Sequence, residues 1–261
     1  MRFIFLGDVV GKPGRRGILT AAAELRAEFA ADAVVINAEN AASGKGLTPH
    51  IAQEFLDAGI DVITLGDHAW DRKELLPWLE TAPQVLRPLN WEEGTPGFGS
   101  YLAPTPAGPL GVLVLQTRTF MRVGALNPFR VGRAEVERLR AAGAAAVLVD
   151  AHGETTSEKI ALGLHLDGLA TAVLGTHTHV QTNDARILPG GTACVTDVGM
   201  CGPRDAVLGR DGHAVVQAFL TGLPQRLEVA GGPVMLSGAV ITADDATGKA
   251  TDIQLLNRVY E

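Results

Sequence analysis

Residues 170–179 read A-T-A-V-L-G-T-H-T-H, an apolar run closed by Gly175 and followed by two histidines one residue apart, His177 and His179. A short apolar run broken by glycine reads as a strand that ends in a turn. On an extended segment alternate side chains share a face, so His-x-His would deliver two imidazoles to one place. Neutral imidazole is a ready ligand for zinc, iron, nickel and copper. Four further runs close in the same manner. F-I-F-L-G ends at Asp8, V-V-I-N-A at Glu39 and Asn40, V-I-T-L-G at Asp67 and His68, and V-L-V-D-A at His152. In open α/β sheets, ligand sites lie beyond the carboxyl ends of the strands. Strand-like runs tipped with carboxylate, amide and imidazole therefore predict one dinuclear metal site at one edge of a sheet.

Between these runs lie helix-like segments. The patterning predicts strands over 2–7, 33–38, 61–66, 111–116, 145–150 and 170–175, and helices over 15–30, 47–59, 72–81, 133–142 and 155–166. Thr48-Pro49 reads as a helix cap followed by the first helical position, and Gly59 as a helix stop. The alternation predicts an α/β fold with a mostly parallel sheet covered on both faces. Residues 83–109, rich in proline and glycine, read as loops around a short strand near Tyr101. Beyond residue 192 the runs T-A-C-V-T, P-V-M-L-S-G-A-V-I-T-A and I-Q-L-L-N-R-V-Y look antiparallel, as edge strands or a second sheet, with one helix near 212–221. No repeat, linker or boundary divides the chain, so residues 1–261 read as a single domain.

With 261 residues, 46% of them hydrophobic, the chain can bury a substantial core. A net charge of −7 argues against binding long nucleic acid through its backbone. Cys194 and Cys201 read as two buried free thiols. The start, M-R-F-I-F-L-G-D, lacks the pattern of an export leader, and no apolar stretch is long enough to span a membrane. These features predict a cytoplasmic protein.

The ordered strings G-D-V-V-G, N-A-E-N-A-A-S-G-K-G, L-G-D-H-A-W-D, D-A-H-G-E-T-T-S-E-K, G-T-H-T-H-V-Q-T and T-D-V-G-M-C-G-P run through nearly the whole chain. Together they resemble the YmdB-like branch of the calcineurin-like metallophosphoesterases, bacterial dinuclear enzymes that open 2′,3′-cyclic nucleotides. The resemblance implies a metallophosphoesterase-type four-layer α/β/β/α sandwich. It also implies two metal ions, iron or manganese ahead of magnesium or zinc. Asp8, Asn40 and His179 would hold one, Asp67, His152 and His177 the other, and Glu39 would bridge them. His68 would be the catalytic acid.

Two positions depart from the pattern. The wider superfamily opens with Asp-x-His, but residue 10 is Val10, which leaves Asn40 to supply an oxygen instead. The usual Gly-Asn-His is Gly66-Asp67-His68 here. Three carboxylates with a bridging hydroxide would neutralise two divalent ions completely. Asp67 would therefore favour a trivalent ion at one position or weaken attraction for phosphate.

A hydroxide between two cations is a strong nucleophile near neutral pH, and His68 is suited to protonating the departing ribose oxygen. Lys45 and Arg118 could steer an anionic substrate, but both read first as ordinary surface or structural charges. Segments 41–47, 69–73, 118–130 and 180–184 are candidate pocket walls, with Trp70, Phe120 and Phe129 available to stack a base or, equally, to serve as packing. The expected partner is a small phosphodiester such as a 2′,3′-cyclic nucleotide, and a homo-oligomer is compatible with the sequence. Amidohydrolase barrels carry His-x-His on their first strand, and metallo-β-lactamase-type sites need His-x-His-x-Asp-His, so neither fits. A metal-binding regulatory protein, acting through a partner rather than by turnover, is the alternative; a full ligand set with an adjacent acid favours turnover, since structural metal sites are closed.

Overall fold

The computed structural model describes residues 1–121 and 125–261. In chain order the first half holds β1 (Arg2–Leu6), β2 (Asp8–Val9), α1 (Gly11–Glu28), β3 (Ala33–Asn37), α2 (Pro49–Asp57), β4 (Val62–Thr64), α3 (Leu75–Leu79), β5 (Val85–Leu86), β6 (Ser100–Ala103), β7 (Leu110–Gln116) and α4 (Pro128–Ala141). The second half holds β8 (Ala146–His152), α5 (Thr156–His165), β9 (Ala172–Thr176), β10 (Arg186–Ile187), β11 (Ala193–Val195), β12 (Met200–Pro203), α6 (Gly212–Thr221), β13 (Val234–Ala243) and β14 (Ala250–Tyr260).

These strands form two sheets. One runs β2-β12-β13-β1-β3-β4-β5, with β14 beside β13, and the other runs β10-β11-β9-β8-β7-β6. β1, β3, β4 and β5 are parallel, as are β7, β8, β9 and β11. Strand alternation sorts the apolar side chains into layers. Phe3, Phe5, Val35 and Val62 meet Val112, Val114, Leu148 and Leu174 between the sheets. Ile4, Leu6, Val34 and Ile36 turn the opposite way onto Ile18, Leu25 and Phe55 of α1 and α2. Leu113, Val147, Val149 and Val173 pack on Val136, Leu139 and Leu162 of α4 and α5. The result is an α/β/β/α sandwich.

A single parallel sheet covered by helices on both faces is thus corrected to two stacked sheets, each with one face on helices and one on its neighbour. β13 is likewise no edge strand: it lies between β14 and the pair formed by β12 and β1. Helix capping behaves as read at Thr48, whose side chain accepts from the Ile51 N–H. It extends the fourth helix back to Pro128, because the Asn127 side chain accepts from the Phe129 and Arg130 N–H groups. Cys201 is buried, while Cys194 is only half-buried; both are free. No helix among the described residues is long and apolar enough to cross a membrane.

Candidate metal centre

Asp8, Glu39 and Asp67 follow β1, β3 and β4 of one sheet, while His152 ends β8 and His177 follows β9 of the other. The site therefore sits where strand ends of both sheets converge, rather than along one sheet edge. Gly66 makes the approach feasible, since a Cβ there would lie 2.1 Å from His152 Nε2 and 2.4 Å from Glu39 Oε2.

Ligand atoms of Glu39, Asp67, His152 and His177 all fall within 4.8 Å of one another. His152 Nε2 lies 3.3 Å from Asp67 Oδ1 and 3.4 Å from Glu39 Oε1, and His177 Nδ1 lies 3.5 Å from Asp67 Oδ1. Beside this cluster, His179 Nε2 is 3.2 Å from Asn40 Oδ1 and 3.9 Å from Asp8 Oδ1. Asp8 is fully buried; its Oδ2 accepts the His177 N–H at 3.1 Å, whereas Oδ1 has no hydrogen-bond partner among the described residues. An orphaned buried carboxylate oxygen is costly unless a cation meets it. Together with the mixed oxygen and imidazole donors, it fits metal binding.

The electrostatics describe a site built for added positive charge. Burial, then repulsion by Asp197, pushes Asp8 up to about 7. Burial, then Asp8 and Asp67, raises Glu39 well above the carboxylate range. Burial also acts to raise Asp67, but contacts from His152 and His177 outweigh it and hold that carboxyl low. Burial lowers His152 to about 3 and His179 to about 4, so both are neutral and ligand-competent.

His177 and His179 are not extended: their φ angles are +93° and +65°. The shared-face argument for His-x-His is therefore corrected. The turned backbone sends His177 toward Asp67 and His179 toward Asn40. Strain of this kind is held by surrounding structure, here the buried Asp197. Its carboxylate accepts from Lys159 Nζ at 3.0 Å, the Thr178 N–H at 3.1 Å, the Thr178 hydroxyl at 2.7 Å and the Gly199 N–H at 2.8 Å.

An open cleft of about 350 Å³ lies over the cluster, lined by Glu39, Asn40, Gly44, His68, Glu154, His177, Thr178, His179, Leu208 and Arg210. The His68 backbone N–H donates to Glu39, and its ring Nδ1 lies 2.9 Å from Asp71 Oδ2. Of the expected walls only 41–47 contributes, through Gly44; 69–73 and 180–184 do not, nor do the described residues of 118–130, of which 122–124 lie outside the described residues. Lys45 and Arg118 are exposed and absent from the lining. Trp70 packs on Trp91 and Phe129 on His165, while Phe120 projects into solvent. Arg210 supplies the lining's fixed positive charge instead. It also donates to the carbonyls of Ser43, Gly44 and Leu227, which pins the loop carrying Asn40. Sequence reading missed Arg210, Glu154, Lys159 and Asp197, which arrive through tertiary structure. It also missed Asp71, although a carboxylate three residues after His68 was visible.

Two stacked sheets between helices, with carboxylates and imidazoles gathered at their strand ends, define a metallophosphoesterase-type protein. The chain belongs to the YmdB-like family, whose pattern matches residues 4–256. It is 46% identical over 257 residues to the 2′,3′-cyclic-nucleotide 2′-phosphodiesterase of Bacillus subtilis strain 168, which covers 97% of this chain and 96% of that protein. A hypothetical protein from Thermus thermophilus superposes with a TM-score of 0.92 at 38% identity, over 100% of both chains. A novel phosphatase from Mycoplasma pneumoniae gives 0.92 at 35% identity, over 99% of this chain and 93% of that one.

Proposed function

We propose that the chain is a single-domain, metal-dependent phosphodiesterase that hydrolyses 2′,3′-cyclic nucleotides. The observation that carries this reading is the convergence of carboxylate and imidazole ligands from both sheets beneath an open cleft with His68 on its rim. The B. subtilis relative's name supplies the substrate class and the bond, that to the 2′ oxygen.

Asp8, Asn40 and His179 would hold one ion and Asp67, His152 and His177 a second, with Glu39 between them. Iron or manganese suits this mix of hard oxygen and borderline nitrogen donors, and magnesium or zinc is the alternative. When bound, such ions would supply Lewis acidity, lowering the pKa of a water enough to yield hydroxide near neutral pH and offsetting charge on the phosphoryl oxygens. The chain does the rest. Arg210 draws the anionic substrate into the cleft and orients it from the Asn40 side. His68, its ring oriented by the 2.9 Å contact between Nδ1 and Asp71 Oδ2, hands the proton on Nε2 to the departing ribose oxygen. An acid at the cleft is unnecessary in a purely structural metal site, which favours turnover over a regulatory role. The cytoplasm is the fitting compartment for such a substrate. Assembly into a homo-oligomer is part of the proposal, supported by Val216, Phe219 and Leu220, which α6 leaves exposed.

The test is hydrolysis of 2′,3′-cyclic AMP by metal-stripped protein reloaded separately with Mn²⁺, Fe²⁺ and Mg²⁺, beside 3′,5′-cyclic AMP and a phosphomonoester. Metal-dependent turnover favouring the 2′,3′ ring is expected. Turnover confined to the other esters discards the substrate, and none with metal bound discards the enzyme reading.

A further inference from the structure

Arg210 reaches the cleft from a tight turn, Val207–Leu208–Gly209–Arg210. The Val207 and Arg210 backbones exchange hydrogen bonds at 3.0 and 2.9 Å around two central residues of positive φ, +50° at Leu208 and +81° at Gly209. Turns of this kind favour Asn, Asp or Gly at the first central position, because a left-handed backbone brings Cβ against the following carbonyl. Leu208 breaks that preference, and its side chain is 46% exposed, so burial does not explain the leucine. The turn itself is firmly seated. A Cβ on Gly209 would lie 2.6 Å from Cγ1 of buried Val10, and the Gly209 carbonyl accepts the Ala230 N–H at 3.0 Å.

The position of the side chain supplies the reason. Leu208 lines the cleft, with its carbonyl 3.4 Å from His179 Nδ1. Every other side chain among the described lining residues is charged or polar, and Gly44 has none. In a 2′,3′-cyclic nucleotide the base hangs from the ribose carbon next to the one bearing the 2′ oxygen. Phosphorus at the ligand cluster therefore leaves the base within one sugar ring of it, against the cleft's own walls. Every nucleobase offers an apolar face. We propose that Leu208 is a specificity-determining residue, an aliphatic platform on which the substrate's base lies, pre-positioned by its turn. The inference rests on the phosphodiesterase reading above and extends it from the phosphate ring to the base. Contact through the ring face makes no demand on the polar edge, so the platform selects for the presence of a base rather than its identity.

Leu208→Asn separates contact from conformation. Asparagine tolerates positive φ better than leucine, so it suits the turn while removing the apolar face. Leu208→Met keeps an apolar side chain in the same place.

The experiment compares kcat/KM of metal-loaded, full-length protein on 2′,3′-cyclic AMP and on glycerol 1,2-cyclic phosphate, which has the same phosphate ring and no base. Thermal melts of the metal-free proteins run alongside. So does calorimetric titration with adenosine 3′-monophosphate, the product of opening the 2′ bond, against glycerol phosphate. The wild type should prefer the nucleotide. Leu208→Asn should lower that preference roughly tenfold, chiefly through KM, the low end of what a lost apolar contact in a pocket costs. It should weaken adenosine 3′-monophosphate by a similar factor and melt no lower than the wild type, and Leu208→Met should keep most of the preference. An unchanged preference and nucleotide affinity in folded Leu208→Asn overturns the inference. So does a melting temperature that falls in step with the preference, which would make the leucine a support for the turn. Protein that hydrolyses neither ring, yet loses nucleotide affinity in Leu208→Asn, would leave the platform standing and bring down the enzyme reading alone. Equal turnover of both rings by the wild type would do the reverse.

Discussion

Asp8→Asn should make the metal-free protein more stable while crippling its metal site. Asp8 Oδ1 is buried without a hydrogen-bond partner among the described residues, and burial followed by Asp197 moves the carboxyl from 3.8 to about 7. Between these values the folded chain keeps a proton on Asp8 that the unfolded chain has released, so stability falls as pH rises. Each tenfold step in proton concentration is worth about 1.4 kcal/mol, which puts the full penalty above neutrality at roughly 4 kcal/mol. Asparagine keeps the shape and still accepts the His177 N–H, but brings no charge to desolvate. In a chelator the two proteins should melt together at acid pH, below the ordinary carboxylate range. They should diverge as pH climbs, with the variant ahead by roughly 10 °C in Tm at mildly alkaline pH for a chain of this size. His152 works in the opposite sense: lowered from 6.5 to about 3, it costs stability as pH falls below 6.5. Present in both proteins, it cancels in the difference. Mn²⁺ should narrow the gap, by about 2.7 kcal/mol at a hundredfold excess over Kd, because only the wild type holds the ion well. A metal-free variant no more stable than metal-free wild type at alkaline pH would refute the reasoning.

His68→Ala should lower kcat by roughly 10²–10⁴-fold with bound metal unchanged, and Asp71→Asn by less, because the imidazole remains; loss of metal in step with rate would make His68 structural instead. Asp67→Asn removes one negative charge and should shift metal preference from trivalent toward divalent ions while lowering KM. Identical metal content and rates would sink that charge argument. Arg210→Gln should raise KM more than it lowers kcat, and a fall in kcat alone would contradict a role in drawing in the anion. Lys159→Met leaves Asp197 buried with its cation gone and should cost about 3–5 kcal/mol in urea melts; an unchanged midpoint would show that the pair does not hold the His177–His179 turn.

The ends of the strands were legible in the sequence because composition changes abruptly there, from aliphatic runs to glycine, carboxylate and imidazole, and every proposed ligand position was read from that change. The division into two sheets came only with the family resemblance, not from the residue pattern. A strand packed on helices and a strand packed on another sheet are equally apolar, so Phe3 and Ile4 look alike in sequence although they face different layers. The His177–His179 geometry was hidden for a different reason: its positive φ angles depend on Asp197 and Lys159, which reach the turn only after folding. Arg210 was invisible in the same way, whereas Lys45 was visible beside Glu39 and Asn40 and Arg118 after a strand run, and both were read first as ordinary surface or structural charges, which their exposure bears out. Asp150, which accepts from Asn37, Thr64 and Thr176 on strands of both sheets, belongs to neither case. An aspartate inside the run V-L-V-D-A-His cannot be buried without partners, because an unpaired carboxylate in the interior costs several kcal/mol. Its presence there already implied donors from neighbouring strands. The sequence thus held a pointer to the support beneath the site as well as to the site, written as a charge where the pattern called for valine.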